Sequence, residues 1–451
     1  MTVKVTKEEL LAKAKKPGED AMKLHPFYRG KMQTVPRCCI RDFNDFAIWY
    51  SPGVAEPCKA IKEDKEKVYE FTNKWNTVAV VSDCTRVLGL GDIGPEAGLP
   101  VMEGKALLFK YLGGVDAVPI CLDTKDPEEI IKAVKWLQPS FGGINLEDIS
   151  NPKCFYILDK LRAEARIPVW HDDQQGTALV TVAGLINALK IVGKSKDKIK
   201  LTVIGIGAAN VAILRLLFVY GVKPENTLVV DSKEILHTGR ADLEKEQQTN
   251  PYKWDLCKRT NPDKRKGGIA EALKGTDVSI SLSKSGPGVI LPEWIKGMAK
   301  DSIIFACANP IPEIWPWEAK EAGARIVATG RSDFSNQVNN SVGFPAVFRG
   351  ALDVRAKTIT DEMCLTAAYE LAGYAEEKGI NEDKIMPTMD EWEVFIREAV
   401  AVGMKAQEQG VARIKATREE LTAHATSIIK NARDTVGLLM KEKLIAPAPK
   451  G

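Results

Sequence analysis

What most constrains this chain is a strand–helix rhythm that runs, stops and starts again. β-Branched runs at Thr77–Ser82, Ala117–Leu122, Gly143–Leu146 and Ile167–Trp170 alternate with amphipathic segments such as Pro127–Leu137 and Pro152–Ala165. Alternation of this kind means βαβ units and a parallel sheet. It restarts at Ile199–Ile204 and continues through Thr227–Val230, Val278–Leu282, Ser302–Ala306 and Arg325–Ala328, which predicts a second parallel sheet. After residue 355 the β-signal ends, and Glu391–Gly410 and Arg418–Lys441 carry helical periodicity. The reading is an α/β chain of two parallel-sheet domains with a helical C-terminal segment.

Composition excludes several classes. Among 451 residues, 63 basic and 60 acidic side chains leave a formal charge of +3. They are spread along the chain, unlike the clustered Lys and Arg of nucleic-acid or membrane-surface proteins. The longest apolar stretches are broken early, as by Arg215 within Val211–Val219. None approaches the roughly 18–20 residues that span a bilayer. Glu8 and Glu9 occupy the place of a signal peptide's apolar core. Nine cysteines without CxxC spacing indicate neither a disulfide framework nor a zinc site. A cytoplasmic protein acting on a small molecule is expected, with no nucleic-acid or membrane partner.

The stretch from Lys200 to Asn210 is a strand running into a glycine turn and then the helix Val211–Tyr220. Gly205 and Gly207 fit the first two glycines of a dinucleotide fingerprint, one for the tight turn and one for pyrophosphate approach. Asn210 stands at the third position. Asp231 ends the next strand, where an acid accepts ribose hydroxyls. This predicts that NAD serves at least as well as NADP. Ser232, Lys233 and Arg240 lie just beyond and could serve a 2′-phosphate; solvated loop residues are the alternative.

The first sheet's strands finish in acids: Asp83, Asp123, Glu147-Asp148 and Asp172-Asp173. Strand C-termini of an open parallel sheet form the ligand crevice. Carboxylates gathered there repel one another unless a cation or protons intervene. An all-oxygen set suits Mg²⁺ or Mn²⁺ rather than Zn²⁺, although single acids at strand ends also serve as helix caps. Arg86 precedes the turn Gly89–Gly94, and Lys105 follows Gly104 at an expected helix start. A guanidinium can clamp a carboxylate, and a lysine near a metal can lose its proton. Each could equally form a surface salt bridge. Tyr50 could be a phenolic acid or an aromatic packed on a turn. The amides of Asn309, Asn339 and Asn340 could position a polar ligand or cap turns.

At these residues the sequence resembles malic enzyme, in its small form. The matching stretches are Tyr50–Ala55, Arg86–Gly94, Gly104-Lys105, Asn145–Asp148, His171–Ala178, Ala308–Pro310, Gly330–Asp333, Asn336–Asn340, Gly343–Pro345 and Phe348–Arg355. Gln175 stands where the family usually has His and Asn210 where it usually has Gly, while Cys84-Thr85 replaces small residues. The resemblance implies oxidative decarboxylation of (S)-malate to pyruvate and CO₂ with Mg²⁺ or Mn²⁺ and NAD or NADP. Carried over by position, Glu147, Asp148 and Asp173 would bind metal, with Asp172 beside them as a catalytic residue. Arg86 would hold the substrate carboxylate. Lys105 would take the C2 hydroxyl proton, and Tyr50 would protonate the enolate carbon. Asn309 and Asn340 would position substrate, and Gly205, Gly207, Asn210, Asp231 and Asn309 the dinucleotide. The implied layout is a substrate and metal domain over 1–171, a Rossmann domain over 172–339, and a segment 340–451 returning to the first. A homodimer or higher homo-oligomer is expected. Two competitors remain: malolactic enzyme, which retains its cofactor and releases lactate, and a non-catalytic dinucleotide-sensing subunit.

Overall fold

A computed structural model describes residues 7–449, with side chains from residue 16. All nine predicted strands form, within two residues of their expected ends. β1 (Thr77–Ser82), β2 (Asp116–Cys121), β3 (Gly143–Leu146) and β4 (Val169–His171) make a parallel sheet in the order β2-β1-β3-β4. β5 (Leu201–Ile204), β6 (Thr227–Val230), β7 (Val278–Ser281), β8 (Ile303–Ala306) and β9 (Ile326–Thr329) make a second, in the order β6-β5-β7-β8-β9.

Both sheets are covered on two faces, which explains the near-continuous apolar strands. Successive β1 residues separate with period two. Ala79 and Val81 pack with Ile130, Val134, Leu158 and Leu161 of the helices Pro127–Leu137 and Lys153–Glu164. Val78 and Val80 join a larger core that continues into the second sheet and the C-terminal helices. Asp126 starts the first of those helices by accepting the Glu128 and Glu129 N–H groups, with Pro127 at the first helical position. Thr417 and Glu420 form a reciprocal cap on the last helix, Arg418–Lys441. That helix packs on Pro95–Gly113, as does Phe344–Asp353, so the C-terminal segment lies against the first sheet's helices.

Two expectations need correction. Lys105 is at the middle of the helix Pro95–Gly113, not at a helix start. The true start is Gly94, at φ +79°, followed by Pro95. In addition, among the described residues one stretch, Asp172–Val192, is long and apolar enough to cross a membrane. Its apolar window is 78% buried inside the protein. Here the helix Thr177–Val192 links the two sheets and packs against Ala208–Tyr220 and Asp361–Glu377, so core burial accounts for its composition.

Candidate active site

The carboxyl ends of β3 and β4 bring four acids to one ammonium group. Lys105 reaches in from its helix, 8% exposed, with Nζ 2.6 Å from Asp172 Oδ2 and 3.0 Å from Glu147 Oε1. Its ammonium also lies 4.3 Å from the centroid of the Phe344 ring. Asn145, which points the same way on β3, donates to Glu147 Oε2 at 2.8 Å. Trp170 donates its indole N–H to Asp172 Oδ1 at 3.2 Å. Asp148 has φ +53°, a conformation that costs a non-glycine residue energy. Three contacts stabilise it: its N–H donates to Asp173 Oδ2 at 2.8 Å, its carbonyl accepts from Arg86 N at 2.9 Å, and the chain resumes through Ser150 N donating to Thr85 Oγ1.

Electrostatics follow from the count. Burial, together with the neighbouring Asp173, Asp172 and Asp148, drives the Glu147 carboxyl well above its ordinary range despite Lys105. Burial and Asp173 push Asp148 up to about 8. For Lys105 burial acts downward, but Asp172 and Glu147 outweigh it and hold the ammonium more firmly protonated than a free lysine. Buried His171 is held neutral by desolvation, its Nδ1 3.6 Å from Asp173 Oδ2. The cluster is thus short of positive charge. Among the described residues no three ligand groups already converge as they would around a bound ion. The donor set nevertheless fits a hard divalent cation: all-oxygen, buried and over-anionic, with Asp148 Oδ2 buried and unpartnered. Asp173, only partly buried, is the open side.

Other predicted residues gather around this centre. Gly176 leaves no room for a side chain: a methyl there would lie 2.0 Å from Asp172 Oδ1 and 3.3 Å from Asn340 Cβ, which places Asn340 beside Asp172. A methyl on Gly89 would meet Pro310 Cδ at 3.1 Å and the Asn309 carbonyl at 3.3 Å, so the Arg86 loop packs on the Asn309 loop across the two lobes. Arg86 is exposed, with its side chain donating to the Leu88 carbonyl. The Asn309 amide folds towards Gly330. Three predicted residues do not join. Asp83 is occupied by Lys153, Thr85 Oγ1 and Thr85 N. Asp123 is exposed. Tyr50, 74% exposed, sits among the exposed apolar residues Phe43, Phe46, Ile48 and Trp49.

At the second sheet Gly205 takes φ +103°, and its N–H donates to the Val230 carbonyl. Open space faces Gly207, as a backbone cradle for phosphate requires. Asn210 explains its own departure: buried, its Nδ2 donates to the carbonyls of Ile204, Gly205 and Leu282, tying the turn to β7. Gln175 accepts the His171 N–H through Oε1 at 3.0 Å, stitching the acidic turn closed. Asp231 has both carboxylate oxygens engaged, by Lys233 N, Glu234 N, Arg240 and Lys253. Asn145, Trp170 and Phe344 were not singled out by sequence. Asn145 and Phe344 lie inside quoted motifs and Trp170 directly precedes one, and that position was the available signal.

Comparison with known proteins agrees with this architecture. Residues 29–162 match the family profile described as the malic enzyme N-terminal domain, and residues 174–407 the malic enzyme NAD binding domain. The chain is 50% identical over 403 residues to the bifunctional malic/malolactic enzyme of Bacillus subtilis, covering 89% of this chain and 96% of that protein. It is 51% identical over 384 residues to the NAD-dependent malic enzyme of Geobacillus stearothermophilus, covering 85% of this chain and 78% of that one. The crystal structure of Entamoeba histolytica malic enzyme superposes with a TM-score of 0.95 at 50% identity, covering 99% of this chain and 93% of that one. With both domain profiles matched in order and the fold shared throughout, the chain belongs to the malic enzyme family.

Proposed function

We propose that this protein catalyses divalent-metal-dependent oxidative decarboxylation of (S)-malate to pyruvate and CO₂, reducing NAD(P)⁺. The observation that carries the reading is the Lys105 ammonium enclosed by Glu147 and Asp172, with Asp148 and Asp173 alongside, where the Arg86 loop meets the Asn309 loop. Glu147, Asp148 and Asp173 would hold Mg²⁺ or Mn²⁺, which would supply Lewis-acid chemistry at the substrate's C2 oxygen. Lys105 Nζ takes the hydroxyl proton as hydride leaves C2. In the cation-free cluster that ammonium is held protonated, so its use as a base requires carboxylate charge to be compensated. Asp172, 2.6 Å away, aims the ammonium and steadies its charge. Arg86 binds the substrate carboxylate, Asn309 and Asn340 orient substrate and nicotinamide, and Gly205 and Gly207 accept the pyrophosphate.

Tyr50 returns a proton to the enolate carbon in this reading. Its 74% exposure means that its segment must be brought over the site. The same run of exposed apolar side chains fits burial in a homodimer or higher assembly, which light scattering tests. The domain layout proposed is 1–171, 172–339 and 340–451, in a cytoplasmic enzyme. The test is malate with Mn²⁺ and each dinucleotide, following the reduced cofactor and pyruvate together. Malolactic conversion is the second reading, favoured by the bifunctional relative; lactate without net reduced cofactor identifies it.

A further inference from the structure

β6 leads into Asp231, whose side chain is 3% exposed and saturated. Oδ1 accepts from Lys233 N at 2.9 Å, Glu234 N at 3.0 Å and Arg240 Nη1 at 2.9 Å, while Oδ2 lies 2.8 Å from Lys253 Nζ. An acid at this strand end rejects a 2′-phosphate when its charge is uncompensated and its oxygens are open to ribose hydroxyls. Neither condition holds here. The three nearby cations differ in what they have left to give. Arg240 spends Nε and Nη2 on the two oxygens of Asp242 and Nη1 on Asp231 and the Glu234 carbonyl. Lys233 Nζ is 2.7 Å from Asp242 Oδ2 on a 63% exposed side chain. Lys253 has Asp231 as its one side-chain partner among the described residues, so two of its three ammonium donors remain for a ligand.

Lys253 is also held in place. It lies in the first turn of the helix Pro251–Arg259, 14% exposed. The preceding residue anchors that turn to the first lobe: Tyr252 donates its hydroxyl to Asp159 at 2.7 Å, and its ring lies 4.7 Å from that of Phe155. Gln248, Thr249, Pro251 and Tyr252 form one wall of an interlobe cleft of about 580 Å³, whose other wall carries Lys125 and Lys153. A chain-anchored ammonium therefore stands at the end of β6, on the residue that follows Tyr252 of the cleft wall.

We propose that Lys253 is a specificity-determining residue: it cancels the charge of Asp231 and offers its remaining donors to a 2′-phosphate, so that the protein takes NADP⁺ as well as NAD⁺. The proposal rests on the dinucleotide reading above and deepens it. Calorimetric binding of 2′,5′-ADP and of 5′-AMP to the full chain, wild type, Lys253→Met and Lys253→Arg, tests it without turnover. In Lys253→Met the affinity for 2′,5′-ADP falls about tenfold or more, the loss of a charge-assisted hydrogen bond, while that for 5′-AMP stays within about twofold. Lys253→Arg retains most of the 2′,5′-ADP affinity, and kcat/KM for NADP⁺ over NAD⁺ follows the same order. Equal weakening of both nucleotides, or an unmoved ratio, overturns the assignment. Failure of wild type to bind either nucleotide would instead overturn the dinucleotide reading beneath it.

Discussion

Replacing Asp148 by Asn makes the charge shortage measurable. The side chain is 5% exposed, one of its oxygens has no partner, and it shares a site with three further carboxylates and one ammonium. Burial and Asp173 raise its pKa from 3.8 to about 8. Between those values the folded chain holds a proton that the unfolded chain has lost. Stability of the cation-free protein therefore falls as pH rises, by up to about 1.4 kcal/mol per unit, and levels off above the folded pKa. Over about four units the ceiling is roughly 5 kcal/mol, and partial relaxation leaves on the order of 2–5 kcal/mol. Asn cannot ionise, so the variant escapes this component. After chelation it should melt above wild type at pH 8, with the gap closing towards pH 4–5. Mn²⁺ should reverse the order, since saturation at about 100 times Kd adds roughly 2.7 kcal/mol to a protein that binds it. Thermal melts from pH 5 to 9, with and without Mn²⁺, give the answer. Parallel pH profiles for the two proteins, or equal stabilisation by Mn²⁺, would show that Asp148 neither carries the charge shortage nor holds the cation.

Three further outcomes are expected. Lys105→Ala should lose about 10²–10⁴-fold in kcat while malate affinity survives; an effect confined to KM would make Lys105 a binding residue. Tyr50→Phe should impair pyruvate formation more than the reduction of added oxaloacetate, and equal loss in both half-reactions would remove it from the enolate step. Asn210→Ala leaves three carbonyls without their shared donor and should weaken dinucleotide binding about tenfold, with a stability loss of about 1–3 kcal/mol; unchanged cofactor affinity would make Asn210 purely structural.

The strands were legible because a sheet covered on both faces demands β-branched runs, and those runs stand out wherever turns bound them. The Pro95 helix start was not, since Gly94 and Pro95 continue a glycine-rich turn and hide the boundary. Apolar content between Asp172 and Val192 was underread because Asp172 and Asp173 open a stretch that is otherwise core. For the site, adjacency along the chain found Glu147, Asp148, Asp172 and Asp173, whose strand ends the sheet order places side by side. Asp83 sits at an equivalent strand end yet is neutralised by Lys153, from the helix that follows β3 rather than its own strand. Asp231 is likewise offset by Lys253 from a later helix. Such pairings depend on where separate elements dock, and local patterns do not carry them. Tyr50 was recognised through its motif, but a motif holds no information about exposure.

One measurement bears most directly on the central claim: turnover of (S)-malate by the metal-loaded protein, with reduced dinucleotide and pyruvate quantified in the same reaction. Equal amounts of both are expected, with none after chelation and recovery on adding Mn²⁺. Undiminished turnover in the chelated protein, or oxaloacetate accumulating in place of pyruvate, would contradict that claim.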